Sequence, residues 1–201
     1  MARYTGPKRR LSRREGMPLF TKDIKAIERK GAIPPGAHGL GRRRRRVSEY
    51  GVQLREKQKI KRIFGIMEKQ FKRYFVSASK LKGSTGLYLL QTLETRLDNV
   101  IYRLGFAQSR QGARQLVSHG HIRINSSRVN IPSYHVKVGQ TIVLSDKLSD
   151  NIQIKKSLEV QSSLPEWLER QGTSGKVLRK PQREEMEGGV NEQLVVEYYS
   201  R

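Results

Sequence analysis

The chain has 201 residues and is strongly basic, with 41 Lys and Arg against 18 Asp and Glu and a formal net charge of +23. A compact protein with this charge repels itself, so the composition predicts a partner that supplies negative charge. Cysteine is absent, which excludes disulfides and cysteine metal sites. No apolar run reaches the roughly 18 residues that a membrane span needs.

The positive charge is concentrated in the first part of the chain. Residues 1–82 carry 25 basic and 6 acidic side chains, whereas residues 145–201 carry 9 basic and 10 acidic ones. Arginine dominates the densest runs, and its planar guanidinium binds phosphate through two hydrogen bonds and stacks on bases. This pattern favours a nucleic acid over an acidic membrane surface.

The pattern of residues 1–47 predicts an irregular basic arm. Gly6-Pro7 and Pro34-Pro35-Gly36 interrupt it, and its apolar residues follow no sustained period. Because it has too few core residues to fold alone, we expect it to become ordered on its partner. The exception is a short helix predicted at residues 23–30.

Three helices are predicted after the arm. Ser48 opens the first, which stops at Gly65, and the second covers residues 67–81. Ser84 or Thr85 caps the third, whose apolar residues recur at helical spacing until Gly105 ends it. The short breaks between these helices predict a small bundle.

Residues 109–144 have the pattern of a compact unit of helix and strands. Ser109 caps a helix that ends at His119. Alternating apolar residues predict two short strands around a turn at residues 125–127, and a further strand at 141–144. We therefore expect a small αβ module in this part of the chain.

The tail beyond this module has weaker patterns. We expect a linker, then a short helix near Trp167 and a basic stretch rich in Gly and Pro at residues 172–183. The alternation at residues 194–196 predicts a final strand. No internal repeat is present.

Motifs for catalysis are weak throughout. Gly39-Leu40-Gly41 lacks the third glycine of a dinucleotide fingerprint, and Gly83-Ser84-Thr85-Gly86 lacks the lysine of a P-loop. His119 and His121 have no third metal ligand nearby, and the acidic group Glu184, Glu185 and Glu187 has no partner nucleophile or histidine, which favours a solvated loop. We therefore expect no enzyme, no metal and no other cofactor.

Several segments resemble the ribosomal small-subunit protein four family. The two most specific are RLDNVIYRLGF at residues 96–106 and ARQLVSHGHI at 113–122. EKQK at 56–59, NEQLVVEYYSR at 191–201 and RYTGP at 3–7 match as well, so the resemblance covers nearly the whole chain in order. The opening, GSTG at 83–86 and the YYSR ending resemble the plastid and cyanobacterial branch.

The resemblance implies an α+β fold made of a helical body with a basic N-terminal arm and an inserted small αβ RNA-binding module. The implied divisions are the arm at 1–47, the body at 48–93, the module at 94–160 and a tail at 161–201 that returns to the body. The implied role is a structural constituent of the small ribosomal subunit. It would bind a junction in the five-prime domain of 16S rRNA, nucleate subunit assembly and contribute to translational accuracy.

The resemblance also implies the surroundings of the chain. Proteins five and three of the small subunit and the mRNA entry path are expected nearby, with no membrane and no small-molecule substrate. The expected location is a plastid ribosome, or alternatively the cytoplasm of a cyanobacterium or another bacterium.

The RNA contacts follow from the basic segments and from the resemblance, which assigns the RNA-facing role in the module to the helix over residues 109–119. The residues expected to contact RNA are Arg3, Tyr4, Lys8, Arg9, Arg10, Arg13, Arg42, Arg43, Arg44, Arg45, Arg46, Arg55, Lys57, Lys59, Arg62, Lys69, Arg73, Ser84, Arg96, Arg110, Arg114 and His119. Most are cations suited to phosphate, and Tyr4 is suited to stacking on an unpaired base.

The sequence departs from the family pattern at three places. Many bacterial members hold zinc with four cysteines near the N-terminus, and this chain has none. The Asn-Gly turn of the family is Asn125-Ser126-Ser127 here, so we expect a longer or looser hairpin. The match is poor over residues 20–46.

Two rival functions are consistent with a basic chain of this kind. An RNA-modifying enzyme could carry the same αβ module, but it would need a catalytic domain, and only about 57 residues follow the strand that ends at residue 144. A DNA-binding regulator would need a dimer interface and a groove-reading helix. The single helix with Arg110 and Arg114 is weak evidence for such a regulator. The ribosomal role is the stronger hypothesis.

Replacing the five arginines at 42–46 with alanine is expected to weaken rRNA binding and flatten its salt dependence. Each phosphate contact steepens the plot of log affinity against log salt by about one unit, because bound cations release counterions. Filter-binding titrations at several salt concentrations measure this slope. A variant with the slope of the unsubstituted chain would contradict the prediction.

Overall fold

A computed structural model describes residues 4–31, 33–36, 47–145, 154, 157, 158 and 164–201. Arg3 and the arginine run at 42–46 lie outside these residues. Contacts divide the chain into two units. The helical unit comprises residues 1–86 and 189–201, and the αβ unit comprises residues 87–188. No helix in the described ranges is long and apolar enough to cross a membrane.

The helical unit is built from short amphipathic helices. They are α1 (Lys8–Glu15), a 3-10 turn (Thr21–Asp23), α2 (Ile24–Lys30), α3 (Glu49–Ile63), α4 (Glu68–Ser79) and, near the C-terminus, the helix α8 (Glu192–Ser200). A further helix, α5 (Thr85–Glu94), starts in this unit and continues in the αβ unit. The predicted helix at residues 23–30 and the two predicted helices after Ser48 are confirmed.

Local chemistry explains the bounds of α3. The Ser48 hydroxyl accepts a hydrogen bond from the Gly51 amide at 3.3 Å, which caps the first turn. Gly65 ends the segment in the left-handed region at φ +64°, a conformation that a side chain would strain. The inner faces of α3 and α4 bury Ile60, Phe71 and Phe75, and α8 packs on α3 with Val195 buried.

Two expectations for the helical unit are wrong. The arm contains a regular helix, α1, which begins after Pro7 and ends at Gly16 in the left-handed region. The strand predicted at residues 194–196 is part of α8, which Asn191 caps by accepting from the Gln193 amide at 3.0 Å. Burial of Val195 against α3 overrides the weak β preference of two adjacent valines.

The αβ unit packs helices on one face of an antiparallel sheet. Beyond α5 the helices are α6 (Leu97–Arg103) and α7 (Arg110–Ser118), and the strands are β1 (Ile122–Ile124), β2 (Ser127–Arg128), β3 (Thr141–Leu144), β4 (Leu168–Gln171) and β5 (Ser174–Val177). The strand order is β2-β1-β3-β5-β4. Side chains from α6, α7 and the inner sheet face form one apolar core around the fully buried Trp167. The helix capped by Ser109 is confirmed, and so is the α+β class.

The third predicted helix is wrong as a single element, because it breaks into α5 and α6 at Thr95-Arg96. There the backbone pairs with the segment before β3, since Leu97 N donates to Tyr134 O at 2.8 Å and Val136 N donates to Thr95 O at 2.9 Å. These hydrogen bonds compete with the helical ladder, and the apolar period on both sides does not reveal the interruption.

The hairpin between β1 and β2 is tight, contrary to the longer or looser turn expected. Ile124 pairs directly with Ser127, so the loop contains two residues, Asn125 and Ser126. Both have positive φ, 45° and 75°, as a type I′ turn requires. The Asn125 carboxamide oxygen accepts from Thr141 N at 2.9 Å and fixes the turn to β3.

The tail is divided between the units rather than returning as one piece to the helices. The helix predicted near Trp167 is wrong, since residues 168–177 form the β4–β5 hairpin, and β5 pairs with β3. Burial of Trp167, Leu168 and Val177 in the αβ core holds this hairpin in the sheet. Only residues from Gly189 onward join the helical unit.

Gly175→Ala is expected to destabilise the αβ unit by about 1–3 kcal/mol, the usual cost of overpacking a core. A Cβ at Gly175 would lie 2.6 Å from the side chain of Leu104, which is fully buried and has little room to move. Fluorescence of Trp167, the single tryptophan, follows unfolding of this unit in denaturant.

Gly188→Ala is the matched control, because a Cβ there meets nothing within 4 Å and no positive φ opposes it. It should unfold as the unsubstituted chain does. Equal midpoints for the two variants would contradict the close packing of β5 on Leu104.

Candidate nucleic-acid interface

The N-terminal helix α1 presents its cations on an outer face. Ser12 is fully buried and donates its hydroxyl to the buried carboxylate of Asp23, and its oxygen accepts from Leu19 N at 3.3 Å. These bonds hold α1 against the 3-10 turn. Of the predicted contact residues in this segment, Tyr4, Lys8, Arg9 and Arg10 are exposed.

Glu15 receives two of the predicted RNA-binding arginines. Its side chain is 1% exposed, and its carboxylate lies 3.2 Å from Arg55 Nη1 and also pairs with Arg62. Burial raises the pKa of Glu15, and the two guanidinium groups oppose that rise. Arg55 and Arg62 therefore dock α1 on α3, which leaves only part of each guanidinium for RNA.

Arg13 has a similar internal role. Its Nε donates to Ile33 O at 2.7 Å and its Nη2 donates to Pro34 O at 3.0 Å. The guanidinium thus holds the loop after α2 against α1. Backbone carbonyls of Ile33 and Pro34 occupy the donors that the sequence assigned to phosphate.

Lys57 lies inside a cluster that fastens α8 to the helical unit. Its ammonium is 2.9 Å from Glu68 and 4.4 Å from the ring centroid of Tyr198, and its side chain is 5% exposed. Burial alone would raise the pKa of Glu68, but hydrogen bonds from Lys57, Tyr199 and Lys61 outweigh it and lower the pKa to about 2. Tyr199 also stacks on Phe75 with centroids 4.6 Å apart.

Lys59 also holds the C-terminal segment on α3, through a separate set of contacts. Its ammonium lies 2.7 Å from Glu56 and donates to Gly189 O at 3.1 Å, while Glu56 accepts from Asn191 N at 2.8 Å. Lys57 and Lys59 therefore secure the C-terminal segment, and their expected role as surface contacts is not supported by this geometry.

The outer face of α4 carries unpaired cations. Lys69, Lys72 and Arg73 are exposed, and spacings of three and four residues place them on one side of the helix. Phe71 and Phe75 are buried on the opposite side. None of these three cations has a hydrogen bond or ion pair to another residue that the structure describes. Ser84 is also exposed, just before α5.

Arg96 is fully buried, so this geometry does not support its assignment as an RNA contact. Its guanidinium binds Asp98 through two hydrogen bonds, with Nε at 3.0 Å and Nη2 at 2.7 Å. Burial lowers the pKa of the neighbouring His135, and the Arg96 charge adds to that shift. The pair lies at the break between α5 and α6, where it stabilises the backbone pairing described above.

Arg110 belongs to a closed ring of hydrogen bonds at the start of α7. Its Nε donates to Asn99 Oδ1 at 2.8 Å and its Nη2 pairs with Glu187. Glu187 also lies 3.3 Å from Arg103, whose Nη2 is 2.7 Å from Glu94, and Asn99 closes the ring by donating to Glu94. Burial lowers the pKa of Arg103, but the Glu94 charge outweighs this and raises it above its ordinary value.

The two arginines of α7 that were expected to face RNA have internal partners. The Arg110 guanidinium stacks 4.7 Å from the Tyr102 centroid, and Arg114 Nη1 lies 3.9 Å from Asp98. Both arginines are partly buried and turned toward internal partners. His119, at the end of α7, is exposed.

Comparisons with known proteins all point to one family. The family model of the ribosomal protein S4/S9 N-terminal domain matches residues 3–94, and that of the S4 domain matches residues 95–142. Small ribosomal subunit protein uS4 of Dictyoglomus turgidum is 55% identical, that of Natranaerobius thermophilus 53% and that of Chloroflexus aurantiacus 48%, each over 100% of both chains. This chain belongs to the uS4 family. The resemblance to this family seen in the sequence is confirmed.

Within the uS4 chain, the residues that sequence reasoning missed are mostly acidic. Glu15, Glu94, Asp98 and Glu187 hold arginines, and Glu187 is not in the solvated acidic loop that was expected. Glu185 likewise binds Arg179, at 2.7 Å. For Glu15 rarity was the available signal, because only 6 acidic residues stand among 25 basic ones in residues 1–82. In the described part of the chain no three His, Cys, Asp or Glu residues are grouped to hold a metal.

Glu68→Gln is expected to remove an acid-sensitive contribution to stability. A carboxyl whose folded pKa is about 2 stabilises the fold above its ordinary pKa near 4.5, and this contribution is lost as the pH falls toward 2. For a carboxylate that remains partly solvated we expect about 1 kcal/mol. Circular dichroism melts of the full chain should show the variant below the unsubstituted protein at neutral pH, with the difference closing in acid.

Glu28→Gln supplies the control for this titration. Glu28 is exposed on α2, beyond its first turn, and has no ion pair to any described residue. Its melting curve should follow the unsubstituted chain at each pH. A gap between Glu68→Gln and the unsubstituted chain that stays constant from neutral pH to acid would refute the role given to Glu68.

Proposed function

We propose that this uS4 chain is a structural constituent of the small ribosomal subunit that binds small-subunit rRNA directly. The observation that carries this proposal is the separation of its cations into two sets. One set is neutralised by internal carboxylates, and the other comprises the exposed Arg10 of α1 and Lys69, Lys72 and Arg73 of α4, which have no ion pair to another described residue. A phosphate backbone supplies the anions that the second set lacks.

The internal ion pairs support this function by organising the binding surface in advance. Glu15 and Asp23 keep α1 docked on the helical unit, so its outward cations share one orientation before RNA arrives. A surface ordered in this way loses less conformational entropy on binding than a free arm does. Duplex RNA is recognised mainly through phosphates and 2′-hydroxyls, which suits cations held at fixed spacings.

The specific rRNA site, the role in assembly and the neighbouring proteins are proposed from membership of the family. We propose that the chain binds a junction in the five-prime domain of 16S-type rRNA, nucleates small-subunit assembly and contributes to translational accuracy. Proteins five and three and the mRNA entry path are its proposed neighbours. The C-terminal residues from Gly189 to Arg201, secured by Lys57 and Lys59, form part of the helical unit that would present this surface.

The three relatives named above are bacterial, which supports a ribosome in a bacterial cytoplasm. A plastid location, suggested by the opening and the ending of the sequence, stays a prediction. All three carry the name of a ribosomal protein, so we propose a structural role in preference to an RNA-modifying one.

Binding of the full chain to a five-prime-domain fragment of 16S-type rRNA tests the function. The triple variant with Lys69, Lys72 and Arg73 changed to alanine should bind more weakly. It should also reduce the slope of log affinity against log salt by about two to three units, because three phosphate contacts are lost.

A scrambled RNA of equal length is the control for site recognition, and the unsubstituted chain should prefer the rRNA fragment. Sedimentation of cell extracts should also show the chain with small subunits. Equal affinity for both RNAs would refute direct recognition of rRNA, and an unchanged slope in the triple variant would refute the assignment of α4.

A further inference from the structure

The outer face of the five-stranded sheet is open to solvent. Burial alternates along β1 and β3, so that Ile122, Ile124, Ile142 and Leu144 point into the core. The opposite face carries the exposed side chains of Arg123 on β1, Arg128 on β2 and Lys176 on β5. α6 and α7 contribute to the core on the inner side, so this face is separate from the helix to which RNA contact was first assigned.

The strand register places the cations around a floor of small side chains. Arg123 pairs with Arg128 on one side and with Val143 on the other, and Val143 pairs with Ser174. Lys176 lies opposite Thr141, two residues along β3 from Val143. Strand spacing and rise put the Cα atoms of Arg123 and Lys176 roughly 12 Å apart.

The sheet face holds cations that the rest of the αβ unit does not neutralise. Arg96, Arg103 and Arg110 are bound to carboxylates, and Arg170 donates to Leu104 O at 2.8 Å. The cations whose side chains have no hydrogen bond or ion pair to another described residue of this unit are Arg123, Lys137, Lys176 and Lys180. Two of these four stand on the outer sheet face.

Arg128 makes internal hydrogen bonds but still adds its positive charge to the outer sheet face. It donates to Gly120 O at 2.9 Å and to His119 O at 3.1 Å, at the end of α7. Its full charge nevertheless remains directly across the ladder from Arg123, and like charges at opposed positions destabilise a strand pair. An anion bound over this pair would relieve that repulsion.

We infer that the outer sheet face is a second RNA-contact surface of the αβ unit. Arg123 and Lys176 bind phosphates of a duplex backbone, and the hydroxyl of Thr141 between them faces the 2′-hydroxyls of the same strand. The inference rests on the proposed function, since it takes rRNA as the ligand. It adds residues that neither the basic runs nor the family motifs quoted above point to.

Charge and composition favour RNA over a protein partner on this face. Protein interfaces have apolar centres rich in aromatic residues, whereas here Val143 is the one apolar side chain on the outer face of β1, β3 and β5. The one carboxylate, Glu169, lies on the far strand β4 opposite Lys176, and it accepts from Gln171 at 2.9 Å. The positive side of the face is therefore the β1–β2 side.

The double variant Arg123→Ala and Lys176→Ala tests the inference in the full chain. It should lower affinity for the five-prime-domain rRNA fragment about tenfold or more. It should also reduce the salt slope by about two units, for two lost phosphate contacts. Glu169→Gln should act in the opposite direction and strengthen binding, since it removes the negative charge of this face.

The matched control is the double variant Lys137→Ala and Lys180→Ala. It removes the same charge from the same unit at two exposed, unpaired positions outside the sheet, and its salt slope should equal that of the unsubstituted chain. Trp167 fluorescence checks that every variant keeps its αβ core.

The outcomes separate this inference from the proposed function. Failure of the unsubstituted chain to bind the rRNA fragment would overturn both. Normal binding by the unsubstituted chain, with equal slopes for the two double variants, would overturn only the sheet-face inference. If the Arg123/Lys176 variant binds RNA normally but fails to retain a neighbouring protein in reconstituted subunits, the face docks protein and the inference is also wrong.

Discussion

Neutralisation of positive charge inside the fold is the constraint on which the structure depends. A guanidinium that is removed from water is tolerated only when a carboxylate and well-aligned acceptors take the place of water. Glu15, Asp98 and Glu94 each do this for an arginine, and each of their side chains is almost completely buried. For the Arg96–Asp98 pair, in which both side chains are buried, loss of one partner costs about 3–5 kcal/mol, because the other charge is left buried and unpaired.

The placement of these few acids determines which cations are available to a ligand. Glu15 pairs with Arg55 and Arg62, and Glu187 pairs with Arg110, whereas no carboxylate among the described residues pairs with Lys69 or Arg73. The net charge of +23 is thus not spread evenly over equivalent side chains. It is divided between ion pairs that support the fold and exposed cations that need an external anion, and the second group supports the proposed binding of rRNA.

Much of the local structure was predictable because its causes are local. Ser48 and Ser109 cap helices where the sequence places them, and the period of Phe71, Phe75 and Ala78 predicts the buried face of α4. The failures arose where distant residues compete with local preference. The backbone at Thr95-Arg96 pairs with residues 134–136, and residues 168–177 enter a sheet whose other strands end at Leu144. Ser126 adopts a positive φ because the ladder on either side allows only two loop residues.

The candidate site shows the same division between features with local causes and features that depend on distant residues. The sequence by itself determined the family, the α+β class, the excess of positive charge and the exposure of the α4 cations, since composition and short-range period suffice for these. Only the tertiary structure decided that Arg96 is buried, that Arg110 belongs to a ring with Glu187, and that Arg123 and Lys176 share one sheet face. The physical reason is that an ion pair forms between side chains brought together by the fold. Glu187 follows Arg110 by 77 residues, and no local pattern records their contact.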